Sequence, residues 1–255
     1  MHYNIEELSN FRPYWEPWTG CRAVSAGCKN CFICDPEFKF YGYDKVNFTK
    51  YASGTIIVTT PHSDFFLEEA DKYRQAAWQY IKYHPDFIFL IITKRIERFY
   101  NNLPEDWDNG YENVIIEVTT ENQEMADKRL PIFRDIPAKH KWLSVAPFIE
   151  NLDLSKYLAE GWIERIEATG EKAIGASKNA ETRELKYEWV ENLSNQCKQY
   201  NTSFCFTSCG SNFKYNNKTF HDHCGCFKSC LAQGLELDNK VKIEFKLEDS
   251  IKVME

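Results

Sequence analysis

Three cysteines stand close together near the N-terminus, in the segment WTGCRAVSAGCKNCF, where Cys21, Cys28 and Cys31 follow the spacing C-x6-C-x2-C with small residues between them. Three thiolates on one irregular loop can take three corners of a four-iron (4Fe-4S) cluster and leave the fourth iron open to a ligand that is not protein. Two other readings fit the same residues. Cys34 extends the series to C-x6-C-x2-C-x2-C and would supply the fourth thiolate of a zinc knuckle. Cysteines three residues apart can also pack on one side of a helix as inert core residues. A second group lies in the tail, CGSNFKYNNKTFHDHCGCFKSC, where Cys209, Cys224, Cys226 and Cys230 make C-x14-C-x-C-x3-C. These four could bind an auxiliary four-iron cluster, or zinc with His221 or His223 replacing one thiolate, or nothing; the spacing is diagnostic of neither metal. Cys197 and Cys205 fall in apolar helix and strand patterns and are expected to pack in the core.

The elements that must position these thiols begin at about residue 54. From there short β-branched, apolar runs alternate with longer amphipathic stretches, the pattern of a parallel sheet with helical crossovers. Strands are predicted at 54–60, 87–93, 113–120, 141–147, 162–169 and 203–208. Phe66, Ala70, Tyr73, Ala77, Tyr80 and Ile81 share a face of one predicted helix, and Leu185, Trp189, Leu193 and Cys197 a face of another. Strand spacings of roughly thirty residues or less allow one βα unit each. The fold class is therefore α/β, a partial (β/α)6 barrel of the TIM type. No Gly-, Pro- or Ser-rich linker divides the chain, so one domain is expected over 1–208, with the cysteine-rich extension over 209–255.

In such a barrel the working face is built from the loops that follow the strands. Here those positions are polar: Thr60, His62, Ser63 and Asp64 after the first predicted strand, Thr93, Lys94 and Arg95 after the second, Thr119, Glu121 and Asn122 after the third. Ser144 and Pro147 end the fourth, and Thr169, Gly170 and Glu171 end the fifth. Taken singly, each is equally well a turn residue, helix cap or surface charge. Trp15, Trp18, Phe32, Tyr41, Tyr43 and Tyr51 flank the cysteine loop and could stack a base, although plugging the barrel mouth explains them more simply. Lys94, Arg95 and Arg98 could grip a phosphate or simply be solvated.

The chain has 255 residues, ten of them cysteine, and a net charge of −7. Ten cysteines with no secretory leader at Met1 point to a reducing cytoplasm, where clustered cysteines serve metal or redox chemistry. The apolar runs are too short to span a bilayer, so no membrane partner is expected. An estimated pI near 5.5 argues against broad attraction to nucleic acid but leaves room for a local basic cleft.

The cysteine loop followed by TPHSDFF, LIITKRIERF, VTTENQEMADKRLPIFRDIP and WLSVAPFIENLDL resembles the successive blocks of the phage-associated three-Cys-motif proteins, a radical S-adenosylmethionine-like family of poorly defined activity. The resemblance runs from residue 15 to about 210. It implies that Cys21, Cys28 and Cys31 ligate a four-iron cluster whose unique iron binds S-adenosylmethionine. It further implies cleavage to a 5'-deoxyadenosyl radical, fed by an electron donor such as flavodoxin or ferredoxin, with a nucleobase, nucleic acid or peptide as substrate. On that reading Asn122, Thr169, Gly170 and Glu171 contact the cofactor, and Asp64, Lys94, Arg95 and Glu121 meet polar groups of substrate or cofactor. The chain departs from the family pattern in having Ala168-Thr169-Gly170-Glu171 where a Gly-Gly-Glu-rich segment is expected, and in its tail cysteines. The different-class alternative is a non-catalytic, metal-stabilised binding module of a phage or mobile-element system.

Overall fold

Runs of β-branched and aromatic residues form seven strands: β1 (Tyr14–Trp15), β2 (Ile56–Thr59), β3 (Ile88–Thr93), β4 (Val114–Thr119), β5 (His140–Val145), β6 (Arg165–Thr169) and β7 (Ser203–Ser208). The structure, a computed structural model, describes residues 2–5, 12–31, 33, 37–44, 48–173, 181–220 and 235–247. The seven strands lie side by side in chain order, and every neighbouring pair is parallel. Among the described residues the edge strands β1 and β7 do not pair with each other, so the sheet is an open half-barrel. All six predicted strands are present. The seventh, β1, is two residues long and too short for its alternation to register in the sequence.

Alternate residues of each strand face opposite sides of the sheet. One side sends Ile57, Phe89, Ile116, Leu143 and Ile166 into the main core with Trp78, Leu130 and Leu193. Those three come from helices α1 (Asp71–Lys82), α2 (Gln123–Asp135) and α3 (Tyr187–Gln199). Each aliphatic or aromatic side chain so buried contributes about 1.5–3 kcal/mol. Helix α1 starts after Phe66 and Ala70, which pack in its lead-in, and Leu185 belongs to a short strand ahead of α3. The connections are less regular than a strict βα alternation. Between β3 and β4 the chain makes two 3-10 turns, and between β5 and β6 one four-residue helical turn.

The inner side is layered. At the N-terminal ends of the strands Ile56, Ile88, Leu90, Ile115 and Trp142 pack against Ile243, Phe245 and Leu247. Strand β8 (Ile243–Lys246), antiparallel to His2–Ile5, supplies Ile243 and Phe245 and covers this end of the half-barrel. One layer higher stand Glu117, Ser144 and Glu167, with Ile92 opposite Glu117 and Ser144 opposite Glu167 in register, while Arg165 stands opposite Trp142. The residues after 208 are tied back onto this frame where described. Phe213 and Leu237 join the main core, and Asn239 bridges Phe204. No helix among the described residues is long and apolar enough to cross a membrane.

Candidate functional site

A cavity of about 620 Å³ opens at the C-terminal ends of the strands. Its wall takes in Thr60, His62, Ser63 and Asp64 after β2, Thr93, Lys94 and Arg95 at β3, Thr119 at β4, Ser144 and Pro147 at β5, and Thr169, Gly170 and Glu171 at β6. Cys21, Cys28 and Cys31 line the same cavity. The structure thus brings the three loop cysteines and most of the polar strand-end residues to one place. Thr60 adopts a left-handed backbone (φ 47°), rare for a β-branched residue, at the turn where the chain leaves β2 for the cavity wall.

The cysteine loop leaves β1 and is closed at its base by a two-residue ladder, Trp18–Thr19 against Lys39–Phe40. The Gly20 N–H donates to His62 O (3.1 Å), and the Ser63 hydroxyl donates to Gly20 O (2.6 Å). Three carboxylate–arginine pairs then hold the loop from three strand ends. After β2 and β3, Asp64 accepts from Arg95 (3.1 Å), whose Nη2 donates to Arg22 O (2.9 Å). After β4, Glu121 pairs with Arg129 of α2 (2.8 Å) and accepts the Gly27 N–H (3.2 Å). After β6, Glu171 pairs with Arg183 and accepts from Asn30 Nδ2 (3.0 Å), while Arg183 Nη1 donates to Ala26 O (2.9 Å). Burial pushes Glu121 upward, but Arg129, Ser25 and Lys94 outweigh it and hold its carboxyl below the usual range. The same opposition, with Arg183 and Asn30 as partners, holds Glu171 low.

The thiols have polar neighbours. Arg95 Nη1 lies 3.7 Å from Cys21 Sγ, the Ile33 N–H donates to Cys31 Sγ (3.4 Å), and the Ser25 hydroxyl stands 3.9 Å from Cys28 Sγ. Burial and Asp64 raise the Cys21 thiol, and Arg95 opposes them. Among the described residues no three His, Cys, Asp or Glu side chains converge on a single ion. A tetrahedral zinc site needs such convergence, whereas a four-iron cluster puts each thiolate on a different iron, so that its ligands border a shared volume. Three thiols bordering one cavity, with N–H groups on two of them, are donors of the type that a four-iron cluster uses. Cys34 lies outside the described residues, as do Cys224, Cys226, Cys230, His221 and His223. Cys209 is buried beside the end of β7.

Several predicted contacts turn out to be structural. Asn122 does not line the cavity; its side chain caps α2 by accepting the Met125 N–H (2.9 Å). Glu121 is fully buried behind the loop and does not line the cavity. Asp64 accepts four hydrogen bonds, from the Phe66 and Lys94 N–H groups, the Thr93 hydroxyl and Arg95, which leaves it a positioning role. Gly170 is needed because a Cβ there would sit 2.2 Å from Cys209 O. Thr169 shares a hydrogen bond with Thr207. Lys94 Nζ reaches Ala146 O (3.3 Å) at the cavity wall, while Arg98 is held by Asp71 and Phe66 O away from it. Trp15 and Trp18 are core residues, Tyr43 and Tyr51 pack against that core, and none of these nor Tyr41 lines the cavity.

The deepest polar layer escaped the reading of strand ends. Glu117 and Glu167 line the cavity from mid-strand positions. Glu167 accepts from Arg12 (2.5 Å) and Arg165 (2.9 Å), and Arg165 donates to Ser203 Oγ (3.1 Å). The available signal was the interruption of apolar runs by a carboxylate in VIIEVT and RIEAT, where burial of a charge demands a partner or a proton. The guanidiniums of Arg12 and Arg165 hold Glu167 well below the usual range against the pull of burial. Glu117 is pushed up to about 8 by burial and by Glu167.

Fold and site define an α/β half-barrel with a cysteine loop across its strand-end cavity. A family model described as "Protein of unknown function (DUF5131)" matches residues 44–238, and the chain belongs to that family. The matched region covers β2 to β7 and begins after the cysteine loop. No curated protein and no solved structure matches the chain.

Proposed function

We propose that this chain is a radical S-adenosylmethionine enzyme of the three-Cys-motif type, with Cys21, Cys28 and Cys31 holding a four-iron cluster over the half-barrel. The observation that carries the reading is that all three thiols line one cavity with the ends of parallel strands, where barrels of this kind place their chemistry. When bound, the cluster and S-adenosylmethionine would supply a 5'-deoxyadenosyl radical for hydrogen abstraction, driven by an electron donor such as flavodoxin or ferredoxin. The chain's own residues set the stage. Asp64 and Glu171, through Arg95 and Arg183, and Glu121, directly at the Gly27 N–H, fix the loop at Arg22, Ala26 and Gly27. Arg95 and the Ile33 N–H direct positive dipoles at two of the sulfurs, which favours thiolate and would tune the cluster's potential. Lys94 and Ser144 offer polar groups to a substrate at the wall.

Anaerobic purification followed by iron, sulfide and zinc quantitation, with electron paramagnetic resonance of the reduced protein with and without S-adenosylmethionine, tests this. About four irons lost on Cys28→Ala, and a signal that shifts with S-adenosylmethionine, are expected. Zinc without iron, together with failed reconstitution, would overturn the reading and leave a metal-stabilised binding module.

A further inference from the structure

The layer below the cysteine loop holds a carboxyl group with unused hydrogen-bonding capacity. Glu117 is 1% exposed and lines the cavity from the middle of β4. Its Oε2 has no hydrogen-bond partner among the described residues. Buried polar atoms are rarely left in that state unless water or a ligand completes them.

We infer that this layer is a binding site for a neutral ligand bearing an amide-type carbonyl, to which Glu117 Oε2 donates a hydrogen bond. The surroundings select against charge. A cation would approach Arg12 and Arg165, the two guanidiniums that hold Glu167, and an anion would approach Glu167 itself. The other titratable neighbour is Cys205, opposite Glu167 on β7. β3 and β5 contribute Ile92 and Ser144 at this level. A neutral acceptor meets no like charge and loses the least hydration on entry. Burial and Glu167 favour the protonated form of Glu117, so at neutral pH the carboxyl has a proton to donate. Val58 and Ile92 line the cavity as apolar wall, suited to the flank of a flat ring or a methylene chain. Two sources offer this carbonyl, a nucleobase such as cytosine and a side-chain carboxamide such as glutamine.

The site needs no cluster, so its test is separate from that of the proposed chemistry. The full chain is titrated calorimetrically with cytidine, with N-acetylglutaminamide, and with adenosine, which has no carbonyl on its base; all three stay neutral from pH 6.5 to 9.5. One of the first two is expected to bind at least about tenfold tighter than adenosine at pH 6.5. Tighter cytidine assigns the nucleobase source, tighter N-acetylglutaminamide the carboxamide. That affinity should fall at least about tenfold by pH 9.5 as the acid loses its proton. Glu117→Gln, which donates from an amide at every pH, should bind with a flat pH profile, and Glu117→Leu should not bind. Binding no tighter than adenosine for both probes overturns the inference. So does a Glu117→Gln variant that keeps the wild-type pH dependence.

Discussion

Arg95 Nη1 stands 3.7 Å from Cys21 Sγ and 3.1 Å from Asp64 Oδ2, so one buried guanidinium joins a thiol of the loop to a carboxylate of the barrel. Burial and Asp64 both push the Cys21 thiol upward, and Arg95 is the group that opposes them. Arg95→Met removes the opposition. In metal-free protein, alkylation of Cys21 by iodoacetamide at pH 8, followed by peptide mass spectrometry, should slow severalfold, because each unit of pKa is a tenfold change in thiolate. An unchanged rate would mean that the guanidinium does not act on the sulfur.

Asp64 bears on stability rather than on chemistry. Its two oxygens satisfy the Phe66 and Lys94 N–H groups, the Thr93 hydroxyl and Arg95, all away from water. Asp64→Ala strands a buried guanidinium and is expected to cost about 3–5 kcal/mol. Asp64→Asn, which keeps an acceptor, should cost less. Urea midpoints of the two variants check this, and a loss well under about 3 kcal/mol for Asp64→Ala would show that the pairing with Arg95 contributes little.

Gly27 meets the barrel where no side chain fits. A Cβ there would lie 2.9 Å from the Glu121 carboxylate, which cannot swing aside while Arg129 holds it. Gly27→Ala should therefore lift the loop, with a loss of about 1–3 kcal/mol and faster hydrogen exchange across residues 25–31. Glu121→Asp, one methylene shorter, should return part of that loss in the double variant. Additive losses would place the strain elsewhere.

These relationships mark how far the sequence could be read. Six strands were legible because each is a short β-branched run with polar ends, and most residues just past them do reach the cavity. Their roles were not legible. Asp64, Glu121 and Glu171 each depend on an arginine, and Arg95, Arg129 and Arg183 lie 31, 8 and 12 positions away. Only packing shows that Asn122 spends its side chain on capping α2. Strand β1 was hidden because two residues carry no period, and with it went the reason that the loop emerges over the cavity. Glu117 and Glu167 stood in plain view within apolar runs, but which side of the sheet they face follows from register with Ile92 and Ser144.

The carboxyl groups of this site should leave opposite marks on the pH dependence of stability. Glu121 and Glu171 are held below their ordinary value of 4.5, so their contributions are present above it and are lost as pH falls into the acid range. Glu167, lowered by Arg12 and Arg165, behaves likewise and is already constant above pH 5. Glu117 is the reverse case. Burial and Glu167 raise it from 4.5 to about 8, so between those values the folded chain holds a proton that the unfolded chain has lost. Its contribution is complete below 4.5 and drains away as pH rises through about 8. Wild-type protein should thus lose at least about 1 kcal/mol between pH 5 and pH 8.5 from this group. Glu117→Gln, which cannot ionise, should not show that share of the loss. Urea midpoints of both proteins across the range decide it: curves that separate toward alkaline pH as the wild type falls relative to the variant are expected, and parallel curves would mean that Glu117 is ionised throughout and that its neighbours, not a proton, satisfy it.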